Sequence, residues 1–137
     1  MTDQPLALSV EQGLHAEQEL LAAVCLGERE NGVLFWRPTD HALVMPRRMS
    51  RLGNFEVACA ELAIAGWPVL LRETGGEPVP QSHSTVNVAL VYAAPRSEGD
   101  HGRIENAYER LCLPLCDVLR ECCLLYTSDA ADDSLRV

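Results

Sequence analysis

Lysine is absent from this 137-residue chain, and its eleven basic residues are all arginine. Arginine binds anions well but stays protonated, so the chain has no side-chain amine to form a Schiff base or carry a proton in catalysis. Positive charge is scarce altogether. Acids outnumber bases 20 to 11, the formal net charge is -9 and the pI is near 4.8. Nucleic-acid binding needs clustered Lys and Arg to displace counterions, so no nucleic-acid partner is expected. Long apolar runs are also missing. None approaches the roughly 18 residues of a membrane span, and Met1 to Leu8 lacks the basic flank and apolar stretch of a signal peptide. The expectation is a cytoplasmic protein with no membrane partner. His15, His41, His83 and His101 are scattered, with no His-x-x-x-His spacing, so no metal site is read from them. There are no internal repeats.

What is present suits one globular domain, with 47% hydrophobic and 23% charged residues. Ser9 and Gln12 have capping-box spacing ahead of a helical pattern, Val10 to Cys25, that ends near Gly27. Val33–Trp36 and Ala42–Met45 read as neighbouring strands closed by Pro38 and Pro46, with Thr39-Asp40 as the turn. Asn54 is an expected N-cap for a second helix, Phe55 to Ala65, and Gly66 its stop. Val69–Leu71 is a further strand, followed by Arg72-Glu73-Thr74-Gly75-Gly76, a polar stretch through Ser84, and a strand from Thr85 to Tyr92. After a polar linker, Pro95 to Gly102, a third helix begins near Ile104, and Pro114 should kink or split it. Most of the cysteines, Cys25, Cys59, Cys112, Cys116, Cys122 and Cys123, lie in apolar helical patterns and are expected as reduced core thiols. The four-residue spacing of Cys112 and Cys116 is also open to a metal pair, and a cysteine acyl acceptor is the sharper alternative.

A Gly-Gly pair between strands, preceded by arginine, is either a hairpin turn or a loop whose backbone closely approaches a ligand. The order of elements around it bears on that choice. An acidic residue in the first helix (Glu17), a strand ending Phe35-Trp36-Arg37, a second helix, and Arg72 to Gly76 before Thr85–Leu90 together resemble the lipoate–protein ligases, octanoyltransferases and biotin–protein ligases. Tyr108 to Leu115 is similar to the helix that follows in one bacterial branch. Two positions depart from the pattern: Glu77 stands where many relatives have a third small residue, and Gln81-Ser82 replaces a His-Asp pair.

The resemblance implies an α+β fold, a mixed or antiparallel sheet with helices packed on one side, as in biotin ligases and class II synthetase cores. It places Arg72, Thr74, Gly75 and Gly76 in a substrate pocket, with Gln81 as a polar candidate. Arg72 could equally be a surface arginine paired with Glu73 or Glu77. Arg47, with Arg48 and Arg51, is either a solvated positive turn or faces nucleotide. The implied activity is an acyl ligase: ATP with Mg2+ activates lipoate or a similar acid, which passes to a lysine of a lipoyl-domain carrier protein. Two alternatives are an acyltransferase moving octanoyl or lipoyl groups between carriers with no cofactor, and a degenerate, non-enzymatic acyl-binding module. The family's catalytic lysine has no counterpart here, so no catalytic residue is assigned and the chain is expected to be inactive.

The stretch Cys123 to Asp133 resembles one reading frame of a transposon-end sequencing adapter. Residues 1–122 are therefore expected to be the N-terminal part of a ligase-like catalytic domain, and residues 123–137 a non-native tail.

Overall fold

A computed structural model describes residues 4–93 and 100–122, with helix side chains from residue 105 onward. It is an α+β protein. The elements run β1 (Leu6–Leu8), α1 (Val10–Cys25), β2 (Asn31–Pro38), β3 (Ala42–Pro46), a 3-10 helix (Arg47–Arg51), α2 (Phe55–Ile64), β4 (Val69–Arg72), β5 (Val79–Gln81), β6 (Asn87–Tyr92) and α3 (Asp100–Glu121). Residues 4–93 form one compact unit, and α3 belongs to a second.

Both ends of α1 are built from local sequence. Ser9 Oγ accepts from the Gln12 amide at 3.2 Å and Gln12 Oε1 accepts from the Ser9 amide at 3.0 Å, the reciprocal capping box that satisfies two otherwise unpaired donors. Asp40, from the turn after β2, accepts the Val10 amide at 2.8 Å. The helix closes with Gly27 at positive φ and the Glu28 amide on Ala23 O. At Asn54 the expectation fails. It precedes α2, but its side chain makes no capping hydrogen bond and its backbone, at φ -109° and ψ 14°, lacks the extended geometry that a side-chain cap requires.

The strands form two three-stranded mixed sheets rather than one. In the first, β2 is central, parallel to β1 and antiparallel to β6. In the second, β3 is central, parallel to β4 and antiparallel to β5. Inward residues of β2 alternate with the exposed Asn31, Val33, Phe35 and Arg37, the two-residue period of a half-covered strand. Val10, Trp36, Ala42 and Val44 make the buried core, packed round by Leu8, Leu14, Leu34 and Leu70, so the core lies where the start of α1 meets both sheets.

Several sequence expectations are corrected. β1 and β5 fall where none was anticipated, β6 starts at Asn87 rather than Thr85, and α2 ends at Ile64. α3 runs unbroken through Pro114, since losing one backbone donor does not outweigh the turns on either side, and it starts at Asp100, inside the expected linker. The five described cysteines are free but not buried: Cys25, Cys112 and Cys122 are exposed, Cys59 and Cys116 intermediate. Residues 94–99 of the linker region and the tail from Cys123 lie outside the described residues.

Candidate functional site

The parallel register of β3 and β4 sets Pro46 opposite Arg72. The chain turns after each: Pro46 leads into the 3-10 helix that carries Arg47 and Arg48, and Arg72 leads into the glycine loop. Three guanidinium-bearing residues are thereby placed at one end of the sheet. Unscreened, they would repel, and the loop supplies the groups that hold them.

Arg72 folds back on its own loop. Its Nε and Nη2 donate to Gly75 O at 3.1 and 2.8 Å, and Nη2 donates to Glu77 O at 2.8 Å. Gly76 makes this possible. Its φ is +101°, a conformation that L side chains rarely adopt, and a Cβ there would lie 2.7 Å from Arg72 Nη2. Gly75 has open space around it.

The other two arginines reach the same loop from the 3-10 helix. Arg47 Nε donates to Glu73 Oε1 at 2.7 Å, and its Nη2 donates to the same oxygen. Arg48 Nη2 donates to Gly76 O at 3.1 Å and lies 3.7 Å from Glu77 Oε1. Both pairs are exposed. The carboxyl of Glu73 is held below its ordinary value, chiefly by the hydrogen bond from Arg47 and further by that residue's charge, with desolvation opposing. The Arg47 guanidinium is raised by the same hydrogen bond and charge. Because the Glu73 value is depressed in the folded state, its contribution is present above the ordinary glutamate value of about 4.3 and is lost only as pH falls through the lower, folded value. A carbon-detected NMR titration should place the Glu73 midpoint below that of an unpaired glutamate, and Arg47→Gln should return it to normal. An unshifted midpoint in the unsubstituted chain would contradict the pairing.

Two clefts of mixed apolar and polar lining lead up to this loop. A cleft of about 60 Å3 lies between α1 and the loop, lined by Leu14, Glu17, Leu21, Arg72 and Thr74 among others. A second, of about 240 Å3, lies between α1 and β4 and is lined by residues including Glu11, His15, Leu70 and Leu71. Leu14 and Gln18 line both, so the two clefts adjoin along α1. Glu17 Oε1 accepts from Trp36 Nε1 at 2.8 Å, tying the wall of the cleft to the core.

The residues singled out in sequence are thus brought together in part. Arg72, Thr74, Gly75 and Gly76 form the loop beside the cleft, and Arg47 stands over it with its charge directed at Glu73. Arg72 itself holds loop carbonyls rather than either glutamate. Gln81 lies apart. Its side chain is 6% exposed, and its amide exchanges two 2.9 Å hydrogen bonds with Asn87, joining β5 of one sheet to β6 of the other. Sequence reading grouped Arg48 with Arg47 but did not anticipate its contact with the loop, and it missed the cleft residues Leu14, Leu21, Leu70 and Leu71. It also missed that the His41 and His83 rings lie 5.5 Å apart, edge to face, with Trp67 against His41. The Ala42–Gln81 pairing of β3 with β5 brings them together at the end of the sheet away from the loop.

Among the described residues, no group of three or more His, Cys, Asp or Glu is placed to hold a metal ion, and no helix is long and apolar enough to cross a membrane. The sequence matches no family model. Over 79 residues, 58% of this chain, it is 37% identical to an uncharacterised protein of Cupriavidus necator. That stretch is 30% of the relative, so the chain spans less than a third of its length.

Proposed function

We propose that this chain is the acyl-recognition part of a lipoate–protein ligase-like protein, of biotin/lipoate ligase fold. A medium-chain acid lies along α1, and its carboxyl end meets the glycine loop. The observation that carries this reading is the groove itself: leucines of α1 and β4 line it, and it opens onto Thr74 beside the glycines. A lining of leucines interspersed with the polar Glu11, His15, Glu17 and Gln18, ending at hydrogen-bonding groups, suits an acyl chain with a polar head.

In the whole protein, ATP would supply activation of the acid as a mixed anhydride, and Arg47 and Arg48 would meet its phosphates. Both carry the right charge for that task, but each is engaged by the loop, Arg47 through Glu73 and Arg48 through Gly76 O and Glu77. Magnesium held mainly by substrate phosphates needs no all-protein cage. The lysine amine of the family's transfer step is not among this chain's side chains. The part assigned to this chain is therefore binding and orientation, with the lipoyl-domain carrier as the proposed partner of the whole protein.

Burying about half of an octanoyl chain contributes roughly 3 kcal/mol at about 0.8 kcal/mol per methylene. With the head-group contacts added, octanoate should bind with a dissociation constant near millimolar. Leu21 is 45% exposed and lines the cleft, so Leu21→Glu puts a charge at its mouth without emptying the core. Calorimetric titration should show saturable octanoate binding that weakens about tenfold or more in Leu21→Glu. Equal binding by both proteins would place the acid elsewhere.

A further inference from the structure

The loop contains its own anions. Glu73 and Glu77 flank the two glycines, and each carboxylate lies against one of the two arginines delivered by the 3-10 helix. The third arginine, Arg72, is engaged with backbone carbonyls and does not compete for them. A small oxyanion arriving at Arg47 and Arg48 therefore meets guanidinium groups whose charge is already answered. A carboxylate and a phosphate oxygen make the same fork-shaped contact with arginine, so one replaces the other with similar geometry.

We propose that Glu73 and Glu77 are internal ligands of Arg47 and Arg48 that hold shut an anion seat of the phosphate class, so that phosphate groups bind only by displacing them. This deepens the reading of the loop as a head-group site by adding its regulation. Two features make displacement feasible. Both pairs are solvent-exposed, and an exposed pair is weak enough for a modestly better ligand to replace it. The two are also unequal: Arg47 makes two hydrogen bonds to Glu73, whereas Arg48 lies 3.7 Å from Glu77. Glu73 is accordingly the stronger internal ligand. The seat also becomes sensitive to ionic strength, because salt screens both the internal pairs and the incoming anion.

The test is calorimetric titration of the full chain with inorganic pyrophosphate at low ionic strength. The isosteric pair Glu73→Gln and Glu77→Gln removes two charges without removing volume, and circular dichroism checks that the fold is retained. The double variant should bind pyrophosphate roughly three- to tenfold more tightly than the unsubstituted chain, since two exposed pairs are released. Glu73→Gln alone should supply the larger share. The gain should disappear when Arg47→Gln and Arg48→Gln are added. No gain in the double variant, or the same gain with both arginines replaced, would overturn the proposal, the latter by showing only a long-range effect of net charge. Octanoate titrated into the same proteins separates this outcome from the acyl reading. Lost octanoate binding with a retained pyrophosphate gain sinks the groove, whereas the reverse sinks the internal ligands.

Discussion

Trp36→Ala is expected to remove a large part of the stability of the unit formed by residues 4–93. Trp36 is 1% exposed on the central strand of its sheet, paired with Leu6 on one side and Asn87 on the other. Its ring is packed so closely beneath α1 that a Cβ on Gly13 would come within 2.5 Å of three ring carbons. Truncating a buried tryptophan costs about 3–5 kcal/mol through lost burial and the cavity left behind. A domain holds only about 5–15 kcal/mol in total, so the variant should lose a large share of its stability and unfold at a markedly lower urea concentration. Trp36→Phe keeps an aromatic ring in the core but removes the donor to Glu17, and should cost less than the alanine variant. Urea denaturation of the three proteins measures both effects. A loss below about 1 kcal/mol for Trp36→Ala would show that the α1–β2 contact does not organise the core.

Gly76→Val should weaken ligand binding about tenfold or more while leaving the fold largely intact. A β-branched residue at φ +101° is strained by about 1–3 kcal/mol, and its Cβ would meet Arg72 Nη2 at 2.7 Å. The guanidinium can swing away, being the end of a flexible side chain, but it then gives up the carbonyls of Gly75 and Glu77. The loop would lose the conformation in which Arg72 gathers it. Octanoate affinity should fall at least about tenfold, the equivalent of 1.4 kcal/mol. The urea midpoint should move little, because the loop is exposed. Gly75→Ala is the matched control: nothing lies within 4 Å of the added carbon, so affinity should be nearly unchanged. If the two variants behaved alike, the positive φ of Gly76 would have no bearing on the site.

The parts of the fold that were legible in sequence are those fixed by local chemistry. The Ser9–Gln12 capping box, the β-prone run Val33–Trp36 closed by Pro38 and the stop at Gly66 each depend on a few neighbouring residues, and each is found in place. What escaped was set by pairing across the chain. β1 and β5 are three residues each, too short to show a period, and they exist because β2 and β3 offer them partners. β5 even contains Pro80, which argues against a strand until its edge position is known. That the strands divide into two sheets likewise follows from register rather than composition.

The site was legible to a similar degree. Its loop stood out through Arg72, Gly75 and Gly76, but the direction of each charge did not. Sequence proximity suggested Arg72 beside Glu73 or Glu77. The parallel pairing of β3 with β4 instead delivers Arg47 and Arg48 to those carboxylates, across 26 and 29 positions of chain. Gln81 shows the opposite error. A glutamine after a glycine loop looks available for a ligand, yet pairing with Asn87 across two sheets engages both ends of its amide.

Backbone amide shifts on addition of octanoate test most directly whether an acyl chain lies along α1 with its head at the glycine loop. The expected result is saturable change at Leu14, Gln18, Leu21 and Leu70 along the groove and at Thr74, Gly75 and Gly76 at its end, with Val33, Phe35 and Val88 on the exposed sheet surface unmoved. Shifts confined to that exposed surface, or none at millimolar octanoate, would contradict it.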